Sequence, residues 1–248
     1  MSYAKALLCV ASAIALCIAS PSQTNAGLLV NGDFESGLAG WTVTDLAGGS
    51  GSFFSQPNDG SLTPLSTLGT AINPLGGLLF AVSDQTGPGT HALTQSFSVP
   101  AGSSVAMSFD MFLNDYSGLS PVGVGLGLDH TGGTNQHARV DILTSTADPL
   151  STAIPDVVAS VLVPVPAPAA YFTVNPWISS PVFDLSAELG AGGTFQVRFA
   201  ETDNSGNFHL GVDNVVIEAV GGQVPEPTSL AIFALGIAPL TGIRRRRR

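Results

Sequence analysis

Asp33 and Glu35 stand two residues apart in the stretch "LLVNGDFESGLAGWT", with Phe34 between them. In an extended chain, alternation sends both carboxylates to one side and the ring to the other. Paired carboxylates suit a hard divalent cation, which takes about six to eight oxygens, so carbonyls and a further side chain must join them. Asp59 and Asp84 are the other acids within reach of such a site. The plain alternative is that these acids are solvated or cap turns. Sugar recognition calls for a different set, aromatic faces that stack and polar groups that orient. Trp177, Tyr171 and Tyr116 lie in or beside two long connections and are the candidates, whereas Trp41 follows the opening stretch closely and reads as core.

Catalytic patterns are sparse. The chain has no Gly-x-Ser-x-Gly elbow and no His-Glu-x-x-His helix. Asp129, His130 and His137 share a Gly-rich polar loop, but nothing in the spacing fixes their geometry for a metal. The segment "ETDNSGNF" lacks the ligand order and closing Glu of an EF-hand loop and reads as a turn between strands. Arg139 beside Asp141, and Arg198 near Glu201 or a cross-strand acid, read as ordinary exposed ion pairs worth about 0–1 kcal/mol.

The elements that must position these residues show period two. In "HALTQSFSVP" Leu93, Phe97 and Val99 oppose Ala92, Thr94, Ser96 and Ser98; after Pro100-Ala101-Gly102, Val105, Met107, Phe109, Met111 and Leu113 run in phase. The two stretches are expected to form a hairpin. "ARVDILT", "TFQVRFAET", "LLFAVSD" and "FHLGVDNVVIEA" alternate likewise. The expected fold class is all-β, a two-sheet antiparallel β-sandwich of eight or more strands. Residues 115–136 and 145–176, the latter with "VLVPVPAPAA", are expected to be neighbouring surface excursions.

Charge narrows the partners. The chain carries −10, but Lys5, the five terminal arginines and Glu226 lie near the ends, so Gly27 to Gln223 carries −15 with only Arg139 and Arg198 as cations. Such a surface repels nucleic acid and anionic membranes and suits divalent cations or neutral sugars. Cys9 and Cys17 fall in the first 26 residues, so the remainder has neither a disulfide nor a thiolate metal site.

Residues 1–26 read as a signal peptide: Lys5, the apolar run Ala6 to Ala19, and Thr24-Asn25-Ala26 before Gly27. Residues 27–220 are the expected sandwich domain, and residues 221–248 a linker and anchor. The run Thr228 to Ile243 is expected to form a C-terminal transmembrane helix of about 24 Å, extended by snorkelling arginines and kept cytoplasmic at its end.

Pro225, Glu226 and Pro227, the apolar run, and Arg244, Arg245, Arg246, Arg247 and Arg248 together resemble the PEP-CTERM sorting signal. That resemblance implies processing by an exosortase after export, transient anchoring in the inner membrane, and a Gram-negative producer of exopolysaccharide. "LLVNGDFESGLAGWT" and "GVDNVVIEA" resemble the first and last strands of galactose-binding-like jelly rolls, the fold of many carbohydrate-binding modules. That second resemblance implies a structural Ca²⁺ held by Glu35 and Asp213, with Asp33 as a further candidate. The resulting expectation is an exported surface or extracellular-matrix protein, structural or adhesive and without a catalytic role. A module recognising a defined glycan is the alternative, and a polysaccharide-active enzyme a third reading.

Overall fold

The computed structural model describes residues 27–221; the expected signal peptide, the expected transmembrane helix and the tail with Pro225, Glu226, Pro227 and Arg244 to Arg248 lie outside the described residues. In chain order the strands are β1 (Thr42–Asp45), β2 (Ser52–Pro57), β3 (Leu79–Asp84), β4 (Gly89–Val99), β5 (Ser104–Asp115), β6 (His137–Thr144), β7 (Val157–Leu162), β8 (Ile178–Ser179), β9 (Phe183–Asp184), β10 (Gly193–Asp203) and β11 (Phe208–Val220). A single-turn helix, α1 (Ser186–Leu189), precedes β10. A five-stranded antiparallel sheet runs β1-β4-β10-β6-β7. A six-stranded one runs β2-β3-β11-β5, with β8 and β9 following one another along the free edge of β5.

The period-two faces meet in one core. Val105, Met107, Phe109, Met111 and Leu113 of β5 lie buried with Leu93 and Phe97 of β4, Val140 and Ile142 of β6, and Val197 and Phe199 of β10. Phe109 meets Phe199 edge to face at 5.2 Å across the sheets, a geometry that the ring quadrupoles favour.

Two expectations are corrected. β4 and β5 do not form a hairpin: β4 pairs with β1 and β10, β5 with β11, β8 and β9, and the turn at Pro100–Gly102 hands the chain from one sheet to the other. Alternation specifies which side of a strand is apolar. It does not say whether the next strand covers that side from beside or from opposite, and a short turn permits both. The opening stretch, in turn, is not a strand. Gly27 bridges Glu218, Leu28 N–H donates to Ile217 O (2.8 Å) and Val215 N–H to Gly32 O (2.8 Å), after which the chain turns. Asp33 and Glu35 therefore lie in a turn, with Phe34 at φ 53° sinking its ring onto Trp41 at 5.1 Å.

The long excursions do meet. Tyr171 Oη donates to Ser120 O (2.7 Å), and the second excursion contains the edge strand β7. A second apolar cluster, Phe80, Val82 and Phe112 with Phe54 and Trp177, lies on the outer face of the six-stranded sheet.

Candidate functional site

β11 carries the residues around which a site can be built. Between Asp213 and Val216 its register against β5 slips, a bulge of the kind that re-aims side chains, with Asn214 at φ 49°. Asn tolerates this left-handed conformation because its short amide bonds locally. The Asn214 amide donates to Asp110 Oδ2 (2.8 Å) on β5 and to Leu75 O (3.1 Å), while its own N–H donates to Asp213 Oδ1 (2.7 Å). Asn73 bridges the two acids, its Nδ2 donating to Asp213 Oδ2 (3.1 Å) and Asp110 Oδ2 (3.3 Å). Glu35 reaches the same loop from the opposite side, and its Oε1 accepts from Leu78 N–H (2.7 Å) and Leu79 N–H (3.2 Å). Gly76 and Gly77 run between these carboxylates: a Cβ on Gly76 would collide with Asp213 Oδ2, and one on Gly77 with Glu35 Oε1.

The Asp213 carboxyl has no solvent exposure. Burial first, then the charges of Asp110 and Glu35, push its pKa up to about 6, against the pull of the Asn214 and Asn73 donors. Among the described residues neither Asp213 nor Glu35 has an ion-pair partner. The charge balance therefore fits a cation at this step. Among the described residues no group of three or more His, Cys, Asp or Glu is set to hold a metal, so a cation here must draw most of its ligands from carbonyl and amide oxygens. Asp33 is exposed and turns to a neighbouring groove; Asp59 caps Ser61 N–H (2.9 Å), and Asp84 serves another loop.

That groove crosses the outer face of the six-stranded sheet below the bulge. Three neighbouring hollows of about 330, 420 and 290 Å³ lie along it; the first two share Asn214 and Val216, and the second and third share Val182. Ser104, Ala106 and Ser108 of β5 and Val216, Glu218 and Val220 of β11 form the floor, in register as Ser104–Val220, Ala106–Glu218 and Ser108–Val216. The 27–33 segment forms one wall and Val182–Asp184 the other.

The aromatic candidates sit elsewhere. Trp177 is half-buried between Phe80 and Phe112, edge-on at 5.1 and 4.8 Å, and its Nε1–H donates to Ala71 O (2.8 Å), which pins the loop above the second apolar cluster. Tyr116 is partly buried and meets the His209 ring at 5.9 Å. Tyr171 is exposed but holds Ser120 through its hydroxyl. Beside it Phe172 is 65% exposed at φ 59°, the most solvent-accessible aromatic of this corner and one that sequence reasoning passed over. None of Trp177, Tyr116 and Tyr171 lines the groove.

The far end of the sandwich is polar and buried. His209 Nε2 faces both Ser66 Oγ (3.0 Å) and Asp84 Oδ1 (3.2 Å), and its Nδ1 has no partner. A Ser–His–Asp relay needs the acid on the opposite nitrogen, so this is not that arrangement. Burial opposes ionisation of Asp84, but donors from His209, Ser66 and Leu65 win and hold its pKa at about 2. Between the sheets, Glu201 is fully buried with neither oxygen bonded, 3.8 Å from His91 Nε2, which is also without a bond. Burial, with Asp203 adding, raises the Glu201 pKa well above the carboxylate range; Asp203 itself is pushed up to about 7, mainly by burial. His130 contacts Thr90 at 3.2 Å, and the His137 pKa falls to about 4 through burial and the Arg139 charge.

The arginines correct another expectation. Neither is exposed: Arg198 has no accessible surface and Arg139 is buried beside it. Asp141, directly across from Arg198 in the β10–β6 register, pairs with both, and Arg198 Nη1 donates to Pro149 O (2.8 Å) and Ser151 O (2.6 Å). The 145–153 loop closes over the pair, which no local pattern of charges in the sequence announces. Glu201 is not the partner, because it lies on the inner face.

Comparison with known proteins adds three kinds of finding. Residues 223–248 match the PEP-CTERM protein-sorting motif, which indicates export and membrane-anchored sorting. No curated protein matches the chain. Among solved structures, the chain is similar to a family 61 carbohydrate-binding module in complex with β-1,4-galactotriose (13% identity, 77% of this chain and 97% of the module, TM-score 0.44). It is also similar to a family 16 carbohydrate-binding module (16%, 77% and 98%, TM-score 0.40). A third is the K3 cleaved adhesin domain of Lys-gingipain from Porphyromonas gingivalis (17%, 75% and 96%, TM-score 0.41).

Proposed function

We propose that the protein is an adhesive component of the cell surface or extracellular matrix, delivered by exosortase-type sorting, whose sandwich holds extracellular polysaccharide without chemically altering it. The observation that carries this reading is the groove across β5 and β11. It is open to solvent, floored by Ser, Ala and Val side chains with Glu218 among them, and set in the face of a sheet, which is the form an extended polymer needs. The sorting motif supports delivery outward. In this reading Glu35 and Asp213 hold a structural Ca²⁺ that fixes the Gly76–Gly77 loop against the bulge, at the head of the groove. The ion supplies local charge balance and rigidity.

The test is retention of the purified protein on extracellular polysaccharide from the producing cells, together with the phenotype of a deletion strain. Retention without change in polymer length, and loss of biofilm or floc cohesion on deletion, are the expected results. Shortening of the polymer by the protein would replace the adhesive reading with an enzymatic one. Retention of one defined oligosaccharide and no bulk polymer would favour a glycan-specific module.

A further inference from the structure

We propose that the groove takes an extended amino-sugar polymer bearing free amines, a partly de-N-acetylated hexosamine chain; this rests on the polysaccharide-adhesive reading above. The register of the strands brings the relevant groups into line. Asp184 of β9 lies opposite Ala106 of β5, which lies opposite Glu218 of β11, which bridges Gly27. Strands pack about 4.8 Å apart, so the backbone positions of Asp184 and Glu218 lie about 10 Å apart with the Ala106 methyl between them. Asp184 points outward because its neighbour Phe183 turns inward, stacking on Phe109 at 6.0 Å. Asp33 stands on the first wall, and at the head lies Asp110, buried and already accepting from Ser179, Asn73 and Asn214.

No cation answers these four acids. Between Gly27 and Gly221 the only Lys or Arg residues are Arg139 and Arg198, both committed to Asp141 on the outer face of the other sheet. The four histidines, His91, His130, His137 and His209, belong to strand ends and loops at the far, polar end. A uronic acid or sulfated chain would thus enter a groove of like charge. The groove is also without an aromatic floor, so it offers no ring on which a neutral sugar face can stack. Ammonium groups pair with Asp184 and Glu218, sugar hydroxyls reach Ser104 and Ser108, and residual acetyl methyls lie on Val182, Val216 and Val220. Asp184 and Glu218 are exposed or half-exposed, so each pair contributes modestly and the attraction is screened by salt.

The experiment uses the full-length protein in mild detergent and titrates it with glucosamine oligosaccharides, their fully N-acetylated forms, β-glucan oligosaccharides and a uronic-acid oligosaccharide. Binding is expected for the first, about tenfold weaker for the second and third, and absent for the fourth. Asp184→Asn with Glu218→Gln is expected to weaken glucosamine-oligomer binding by about tenfold, and Ala106→Trp, which fills the floor, to abolish it, each with an unchanged thermal melt. Asp148→Asn, an exposed acid outside the groove, is expected to change nothing. Equal weakening by Asp148→Asn would reduce the effect to adsorption of a polycation on an acidic protein and overturn the proposal. Neutral glycans binding as tightly and equally blocked by Ala106→Trp would overturn the amine assignment while leaving the adhesive reading in place. Glycan binding untouched by Ala106→Trp would overturn the groove alone. Binding to no glycan would remove both.

Discussion

Arg198 and Glu201 sit three residues apart on β10 and face opposite sides of one sheet, and each is buried. Arg198 is buried with its charge answered by Asp141 and two carbonyls. Its truncation to Ala would strand Asp141 beside Arg139 and release the 145–153 loop. The expected loss is about 3–5 kcal/mol in urea unfolding, because it leaves Asp141 with Arg139 alone and the Pro149 and Ser151 carbonyls without their donor. A loss below about 1 kcal/mol would return the pair to the surface class. Glu201 is buried with no such answer. Its folded pKa lies well above the unfolded value near 4.5, so it favours the folded state fully only below that value and loses this contribution as pH rises toward the folded pKa. Glu201→Gln keeps the shape and removes the titration. The variant should gain thermal stability over the parent at pH 8, and the gain should shrink steadily toward pH 4. Comparing the two proteins cancels His137, whose depressed pKa of about 4 works in the opposite direction, losing stability as pH falls below 6.5. A pH-independent difference between the two would show that Glu201 does not titrate across folding.

β11 is the element on which the site depends. Its upper half pairs with β3 and its lower half with the 27–32 segment, and the bulge lies where the neighbour changes. There Asp213 and Glu35 are drawn to the Gly76–Gly77 loop. If Ca²⁺ holds this step, adding calcium should raise the melting temperature, and Glu35→Gln should erase that rise while leaving the calcium-free melt nearly unchanged. The calcium gain should also be larger at pH 8 than at pH 5, since Asp213, with a pKa of about 6, is largely protonated at the lower pH and calcium must displace that proton. An identical melt before and after exhaustive chelation would remove calcium from the account. Much of this element was legible in the sequence: the alternation of Phe208, Leu210 and Val212 against His209, Gly211 and Asp213 is simple, and Asp213 was singled out. What was not legible was whatever depends on another strand. Asp110 read as one polar position among many on β5, and Asn73 as a loop residue, because only the β5–β11 register and the fold-back of the 58–78 connection place them beside Asp213. The same reason hid the sheet change between β4 and β5, and the burial of Arg139 and Arg198.

At the scale of the whole molecule, the sandwich closes its own chain. Gly27 pairs beside Glu218, and β11 ends two residues later at Val220, so the points where residues 1–26 and 221–248 join the domain lie along the same strand edge. Among the described residues the buried core runs from Phe34 to Ile217. If the sandwich folds on these residues alone, anchoring and folding are separable. Among the described residues no helix is long and apolar enough to cross a membrane, and the PEP-CTERM sorting motif spans residues 223–248. If residues 228–243 form the expected membrane helix, replacing Arg244 to Arg248 with serine removes the charges expected to keep its end cytoplasmic. The variant should leave the membrane fraction early, or fail to be retained there, while its sandwich melts at the parent temperature. Loss of the exosortase should do the reverse and trap the unprocessed parent chain in the inner membrane. Membrane retention of the serine variant equal to that of the parent would mean that the apolar run alone is the anchor. A lowered melting temperature would mean that the tail packs on the sandwich, and the two parts of the chain would then be one device.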